Sequence, residues 1–392
     1  MSIQQNFPAI SPSLNLNFAR SKTLDPRITF SRTSTATRVN EQGLVEVVSA
    51  DIPRFDHKYE NGVIKSLGLL VEESRSNIIP YSVVSTTAGW SINSSTLTNN
   101  ATTAPDGNNT AARVQVESTN GYVADLSIPV SAGTTYTFSF WLKSVSGSGT
   151  WGINIYDHGG ANIGHHRTTV NITEEWQRVS YTYTPTGTQV NAYISDDRDN
   201  LATISDGYVW GAQLEAGSFM TSLIPTSGGT AIREPDSVTM TGDNFSDWYN
   251  QDEGTVYVSQ KLKAVQDTNR NNLVYLINAN GNGTDYFYNT NKGNQHIFVF
   301  GDGGTNYSRF GESSDSTDST IAWAYDVSGD DFKAYYNGIE ATNETSNNTP
   351  SATSHNQLEL GATAGDKYCG HISKLTYYPT RLTNAQLQNL TK

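Results

Sequence analysis

At 392 residues, 36% of them hydrophobic, with a net charge of −13, the chain has room for two sandwich-sized cores. An acidic balance repels phosphate backbones and argues against nucleic-acid binding. No apolar stretch approaches the roughly 18 residues that a membrane helix needs, and the start, Met1-Ser2-Ile3-Gln4-Gln5, carries no basic, apolar leader, so a soluble chain without membrane insertion is expected. A single cysteine, Cys369, excludes an intrachain disulfide. Its alternating context predicts a buried small hydrophobe rather than a nucleophile.

The predicted fold class is all-β. Aromatic residues make up 10% of the chain and recur inside alternating runs, which disordered segments lack. Charge is uneven: residues 1–80 sum to +1, 81–235 to −6 and 236–392 to −8. Three parts with those boundaries are expected: an extended N-terminal attachment segment, then two β-sandwich (jelly-roll) domains.

In the first part, Leu14-Asn15-Leu16-Asn17-Phe18 alternates like a strand, and Leu67-Gly68-Leu69-Leu70-Val71 is a short apolar run near its end. Between and just beyond them stand Asp25, Arg27, Arg32, Arg38, Arg54, Asp56, Glu72, Glu73 and Arg75. Strands this short bury little area, so the segment is not expected to fold alone. It could lie against a neighbouring chain, these arginines and carboxylates setting register as assembly contacts. It could equally pack as an arm on its own sandwich. The text from 24 to 82, LDPRITFSRTSTATRVNEQGLVEVVSADIPRFDH through SLGLLVEESRSNIIPYS, resembles an N-terminal segment of phage tail-fibre and related virion proteins. That resemblance implies a virion structural protein, made in the host cytoplasm and assembled with other virion proteins, trimers being common among such fibres.

The second part repeats one pattern. In residues 135–143, TYTFSFWLK, the side chains of Tyr136, Phe138, Phe140 and Leu142 fall on one face at period two. Runs at 151–156, 177–183 and 208–214 follow, separated by turns rich in Gly, Ser, Asn and Asp. The order SAGTTYTFSFWLKS, EEWQRVSYTYT and GAQLEAGSFMTSLIPTSG is similar to jelly-roll carbohydrate-binding modules. In the third part, strands are expected at 253–259, 273–277, 296–300 and 332–338, the last ending in an Asn337-Gly338 hairpin signal. A short helix capped by Thr383 closes the chain. This order is similar to concanavalin-like, laminin-G-type sandwiches.

Chemistry is sparse. Glycoside hydrolysis needs two carboxyls about 5 Å apart, or about 6.5–9.5 Å apart, around one bond, and no strand spacing supplies such a pair; Glu215 and Glu359 stand alone. Asp196, Asp197 and Asp199 could give oxygen ligands to a structural calcium, but Arg198 in their midst argues for an acidic turn. His165 and His166, adjacent on a strand, would face opposite sides, so with His158 they make no shared metal site there. No cofactor is expected otherwise. Sugar binding uses an aromatic platform flanked by polar hydrogen-bonders. The candidates are Trp151, Tyr156, Asp157 and His158 in one sandwich and Asp285, Tyr286 and Tyr288 in the other. Each of these aromatics could equally be core or interface packing.

The expectation is therefore a non-catalytic virion protein: a tail fibre or receptor-binding protein adhering to host-surface glycans, presented as a homo-oligomer. A capsid-decorating or head-fibre protein and a glycan-degrading tail enzyme are the alternatives.

Overall fold

A computed structural model describes residues 8–60, 62–196, 198, 202–264, 271–277, 286–292, 295–302, 305–311, 317–329, 331–344, 354–361 and 368–392. The chain is almost entirely β, with short helices at Asp243–Ser246 and Asn384–Leu390. It divides into two compact units that interleave along the sequence. A composite unit draws on Met1–Thr33, Ser49–Glu73 and Glu234–Lys392, and an inserted unit on Ser34–Val48 and Ser74–Arg233.

The inserted unit is a sandwich of two antiparallel five-stranded sheets. One runs in the order Gln177–Tyr183, Tyr136–Ser144, Asp206–Ala216, Ala111–Val116, Ser95–Thr102. The other runs Gly164–Ile172, Gly149–Asp157, Gln189–Asp196, Tyr122–Pro129, Ser91–Asn93. Period-two burial produces the layers: Phe138, Phe140 and Leu142 from the first sheet meet Trp151, Ile153, Ile155, Val190 and Ile194 from the second in one core.

The composite unit also has two sheets, each of eight strands. Val256, Val258, Ile321, Trp323, Leu375 and Tyr377 on one pack against Val238, Met240, Val274, Leu276, Phe298, Leu358 and Leu360 on the other. The predicted details near the end of the chain are present. Asn337 and Gly338 take positive φ of 44° and 80° in a tight hairpin, Cys369 is buried, and Thr383 closes a reciprocal capping box with Gln386.

Of the two expectations for residues 1–80, a contact with a neighbouring chain or an arm on the chain's own sandwich, the strand pairing shows the second, and the boundary at 80 gives way to interleaved units. Leu14–Leu16 pairs with Gly370–Tyr378, Val63–Val71 joins the same strand through Leu69–Val71, and Arg54–Glu60 extends the sheet. Thr29–Ser31 pairs with Ser237–Thr241 in the other sheet. The hairpin of Ala36–Val39 and Val45–Val48 belongs instead to the inserted unit. The physical reason is area: Leu14, Leu16, Phe18, Leu69 and Val71 are buried only because they complete a sheet that already has a core.

The charged residues expected as assembly contacts are largely satisfied within the chain. Asp25 grips Arg27 in a local bidentate pair, Arg38 reaches Glu46 at 2.6 Å, and Asp56 meets buried His371 at 2.7 Å. The Arg75 guanidinium lies 4.9 Å from the centre of the Phe219 ring, and Glu73 is buried. Arg32, Arg54 and Glu72 form a quartet with Asp236 whose side chains are wholly shielded from solvent. Arg32 bonds Asp236 at 2.9 Å, and Arg54 bonds Glu72 at 2.7 Å and Asp236 at 2.5 Å. Arg32 also donates to the carbonyls of Ser49 and Ile52. Burial disfavours a charged Arg54, but Asp236 and Glu72 more than reverse this and hold its proton more tightly than usual.

Replacing Arg54 by methionine removes the cation that Glu72 and Asp236 share and leaves a net negative charge buried, Asp236 keeping Arg32. Equilibrium urea unfolding should show a loss of about 3–5 kcal/mol, whereas Arg27→Met, on the partly exposed pair with Asp25, should cost less than about 1 kcal/mol.

Candidate functional site

The second sheet of the inserted unit has one face in the core and one turned away from it. Along Gly149–Asp157, the odd positions Trp151, Ile153 and Ile155 enter the core, which leaves Asn154 and Tyr156 on the outer face. Pairing then gathers residues distant in sequence. Tyr156 is opposite His165 and Asn191, and Asn154 is opposite Arg167 and Tyr193.

These rings form a continuous patch. Tyr156 meets His158 edge-on at 4.8 Å and His165 at 4.5 Å between centroids. His165 continues to Tyr193 at 5.8 Å, and Tyr193 to Tyr122 at 5.2 Å. The Arg198 guanidinium lies 5.2 Å from the Tyr122 ring centre and 4.9 Å from that of Tyr193, within cation–π range.

Polar groups are fixed beside the rings. Arg198 clamps Asp196 bidentately at 2.9 and 2.6 Å, Arg167 approaches it at 3.3 Å, and Asn154 donates to it at 2.8 Å. Burial pushes the Asp196 carboxyl up, but these bonds outweigh that and hold its pKa below the usual value. Asn191 Oδ1 sits 2.7 Å from His158 Nε2 and accepts the Ser127 N–H at 2.8 Å. Tyr193, Asn154 and Asn191 are buried beneath this face, so a sugar can meet its C–H faces on the partly exposed Tyr122, Tyr156, His158 and His165 rings and its hydroxyls through guanidinium and imidazole. Asp196 is committed to its arginines and offers no free acid or base.

The sequence candidates separate cleanly by strand parity. Tyr156 and His158 lie on the outer face. Trp151 is in the core, 1% exposed, with its indole N–H donating to the Ile194 carbonyl. Asp157 is buried too, accepting from the backbone N–H groups of Gly159, Thr186 and Gly187 and from the Thr186 and Tyr183 hydroxyls. Burial raises the Asp157 carboxyl, and these donors more than offset it, leaving a lowered pKa. It is a turn-holding carboxylate. His165 and His166 face opposite ways as expected, His166 stacking on Tyr183 at 4.3 Å.

Asp285, Asp197 and Asp199 lie outside the described residues, and of Tyr286 and Tyr288 only the backbone, in the Tyr286–Lys292 strand, is described. Among the described residues no group of three or more His, Cys, Asp or Glu is placed to hold a metal. Tyr122, Arg167, Asn191 and Tyr193 belong to this candidate face and were not singled out from the sequence, while His165 and Arg198 were weighed there only for metal binding. Their signal was parity within strands whose pairing the sequence does not declare.

Residues 75–195 match a family model described as a carbohydrate binding domain, a span of less than half the chain. Among solved structures, the chain is similar to the CBM40 of the Ruminococcus gnavus IT-sialidase bound to α2,3-sialyllactose. The identity is 18% and the TM-score 0.31, over 36% of this chain and 83% of that one. It is also similar to the CBM22-1 xylan-binding domain of Paenibacillus barcinonensis Xyn10C, at 16% identity and TM-score 0.28, over 36% and 92% of the two chains. A leech intramolecular trans-sialidase is similar at 17% identity and TM-score 0.32, over 39% and 26%. No curated protein matches the chain. The family-model match falls within the inserted unit, which its own two five-stranded sheets make a β-sandwich.

Beside the face, burial without an ionic partner pushes the Asp125 carboxyl from 3.8 to about 6. A raised acid pKa adds stability that is complete below 3.8 and lost as pH rises through about 6. Asp125→Asn should therefore stabilise the protein at about pH 7, by about 1 kcal/mol once solvent screening is discounted. Near pH 3.5 (about the fully protonated limit) the difference should vanish. Urea unfolding at the two pH values checks both halves.

Proposed function

We propose that the chain is a non-catalytic, glycan-adhering structural protein of a phage particle, a tail fibre or receptor-binding protein. The observation that carries the glycan reading is the Tyr122–Tyr193–His165–Tyr156–His158 patch, all of it within the stretch that matches the carbohydrate-binding family. Its chemistry suits holding a sugar and supplies no pair of free carboxylates to cleave one. The virion reading rests on the resemblance of residues 24–82 to phage tail-fibre segments. Several copies on one particle, a trimer in fibres of this kind, would turn weak single-site affinity into firm adhesion through effective concentration.

A glycan array probed with the purified chain tests the first part. Wild type should bind a restricted set of host-envelope sugars and release no reducing ends. Tyr156→Ala, which removes the ring between two imidazoles, should weaken binding about tenfold, while Tyr59→Ala in the composite unit should leave it unchanged. An array on which wild type and Tyr156→Ala bind alike would remove the patch as the site. Particle imaging with a label on this chain tests the second part: signal at the tail is expected, and its absence from particles sinks the virion assignment.

A further inference from the structure

A polar groove of about 430 Å³ opens on the composite unit. It arises from strand geometry. Val63–Val71 pairs with Gly370–Tyr378 only through Leu69–Val71, then parts from it while remaining paired to Arg54–Glu60. Gly68, at φ +94°, sits where the strands separate; a Cβ there would fall 2.2 Å from the Ile372 carbonyl oxygen. On the far side a bulge between Ser259 and Gln260 shifts the register against Gly370–Tyr378. The departing hairpin and the sheet thus become two walls.

Both walls are built for hydrogen bonding. Lys58 and Lys65 donate to the two oxygens of Glu60 at 2.6 Å each, and Lys261 to Asp318 at 2.7 Å. Each ammonium has three donors, so further donors stay available to a ligand. These exposed pairs are weak and readily exchanged. Three cations against two carboxylates leave a local positive excess on a chain whose net charge is −13.

A second observation points the same way. Gln260, which lines the groove, is 5% exposed; its Nε2 donates to Ser319, yet its Oε1 is buried with no hydrogen-bond partner. A buried unpartnered acceptor is costly and awaits a donor.

We propose that this groove is a second saccharide site, selective for sugars that carry a carboxylate, such as uronic acids. A sugar hydroxyl supplies the donor that Gln260 lacks, and the carboxylate takes up the free lysine donors. The groove does not depend on the aromatic patch of the inserted unit: it recognises charge and hydroxyls, the patch C–H faces.

Calorimetric titration of the full chain with an oligogalacturonate, and with its neutral methyl ester, tests the assignment. Saturable binding of the acid form is expected, weakened about tenfold or more in the methyl ester and in the double variant Lys65→Gln, Lys261→Gln. Gln260→Leu should weaken it as well; the lysine variants, on the surface, decide the matter should that one not fold. In a Tyr156→Ala background the same loss on Lys65→Gln, Lys261→Gln should persist, so the groove is read with the patch already impaired. Failure of wild type to bind the acid form, or lysine variants that bind it undiminished, overturns the proposal.

Discussion

Two guanidiniums sealed from water must find two carboxylates in the same place, and the composite unit is organised around that demand. Arg32, Arg54, Glu72 and Asp236 come from three separate pieces of chain, and their side chains are all fully shielded. Taken singly, each would be prohibitively costly to bury; taken together they are electrically neutral and multiply hydrogen-bonded. Their positions in the sequence explain the arrangement. The chain passes between units after residues 33, 48, 73 and 233, and Arg32, Ser49, Glu72 and Asp236 stand within three residues of those passages. The quartet, with the Ser49 carbonyl that Arg32 holds, therefore fixes in the composite unit the four places where the inserted unit is threaded. A hydrophobic cluster could fill the same volume, but it would not specify which strand end belongs beside which.

A smaller version of the same logic operates on the second sheet of the inserted unit. Asp196 is buried at a strand end, and Arg198, Arg167 and Asn154 neutralise and orient it. Through that clamp Arg198 is laid across Tyr122 and Tyr193. The acidic turn that might have suggested a cation site is, at Asp196, an arginine holder.

Much of the architecture was legible because sandwich strands advertise themselves by alternation. Phe138, Phe140 and Leu142 are buried where period two puts them, and Asn337-Gly338 and Thr383 act as their local chemistry dictates. The same rule, applied strictly to 151–158, separates Trp151 and Asp157 from Tyr156 and His158. Choosing residues for being aromatic or polar, without regard to parity, mixed the two faces. What the sequence did not disclose was pairing between distant segments: Leu14–Leu16 against Gly370–Tyr378, or Tyr122 beside Tyr193. Nor did the arginines of the first eighty residues reveal that their partners lay within the same chain. Asp236 is 204 residues from Arg32, and only the closed sheet brings them together.

The interleaved threading also imposes an order on biosynthesis. Every strand of the inserted unit lies before residue 234, so that sandwich can close while the ribosome is still translating. The composite unit must wait, because Leu14–Leu16, Val63–Val71 and Glu253–Leu262 all need the Gly370–Tyr378 strand between or beside them. Leu14–Leu16 is made more than 350 residues before the strand it pairs with. Until that strand is made, the sheet that buries Leu14, Leu16 and Phe18 is incomplete.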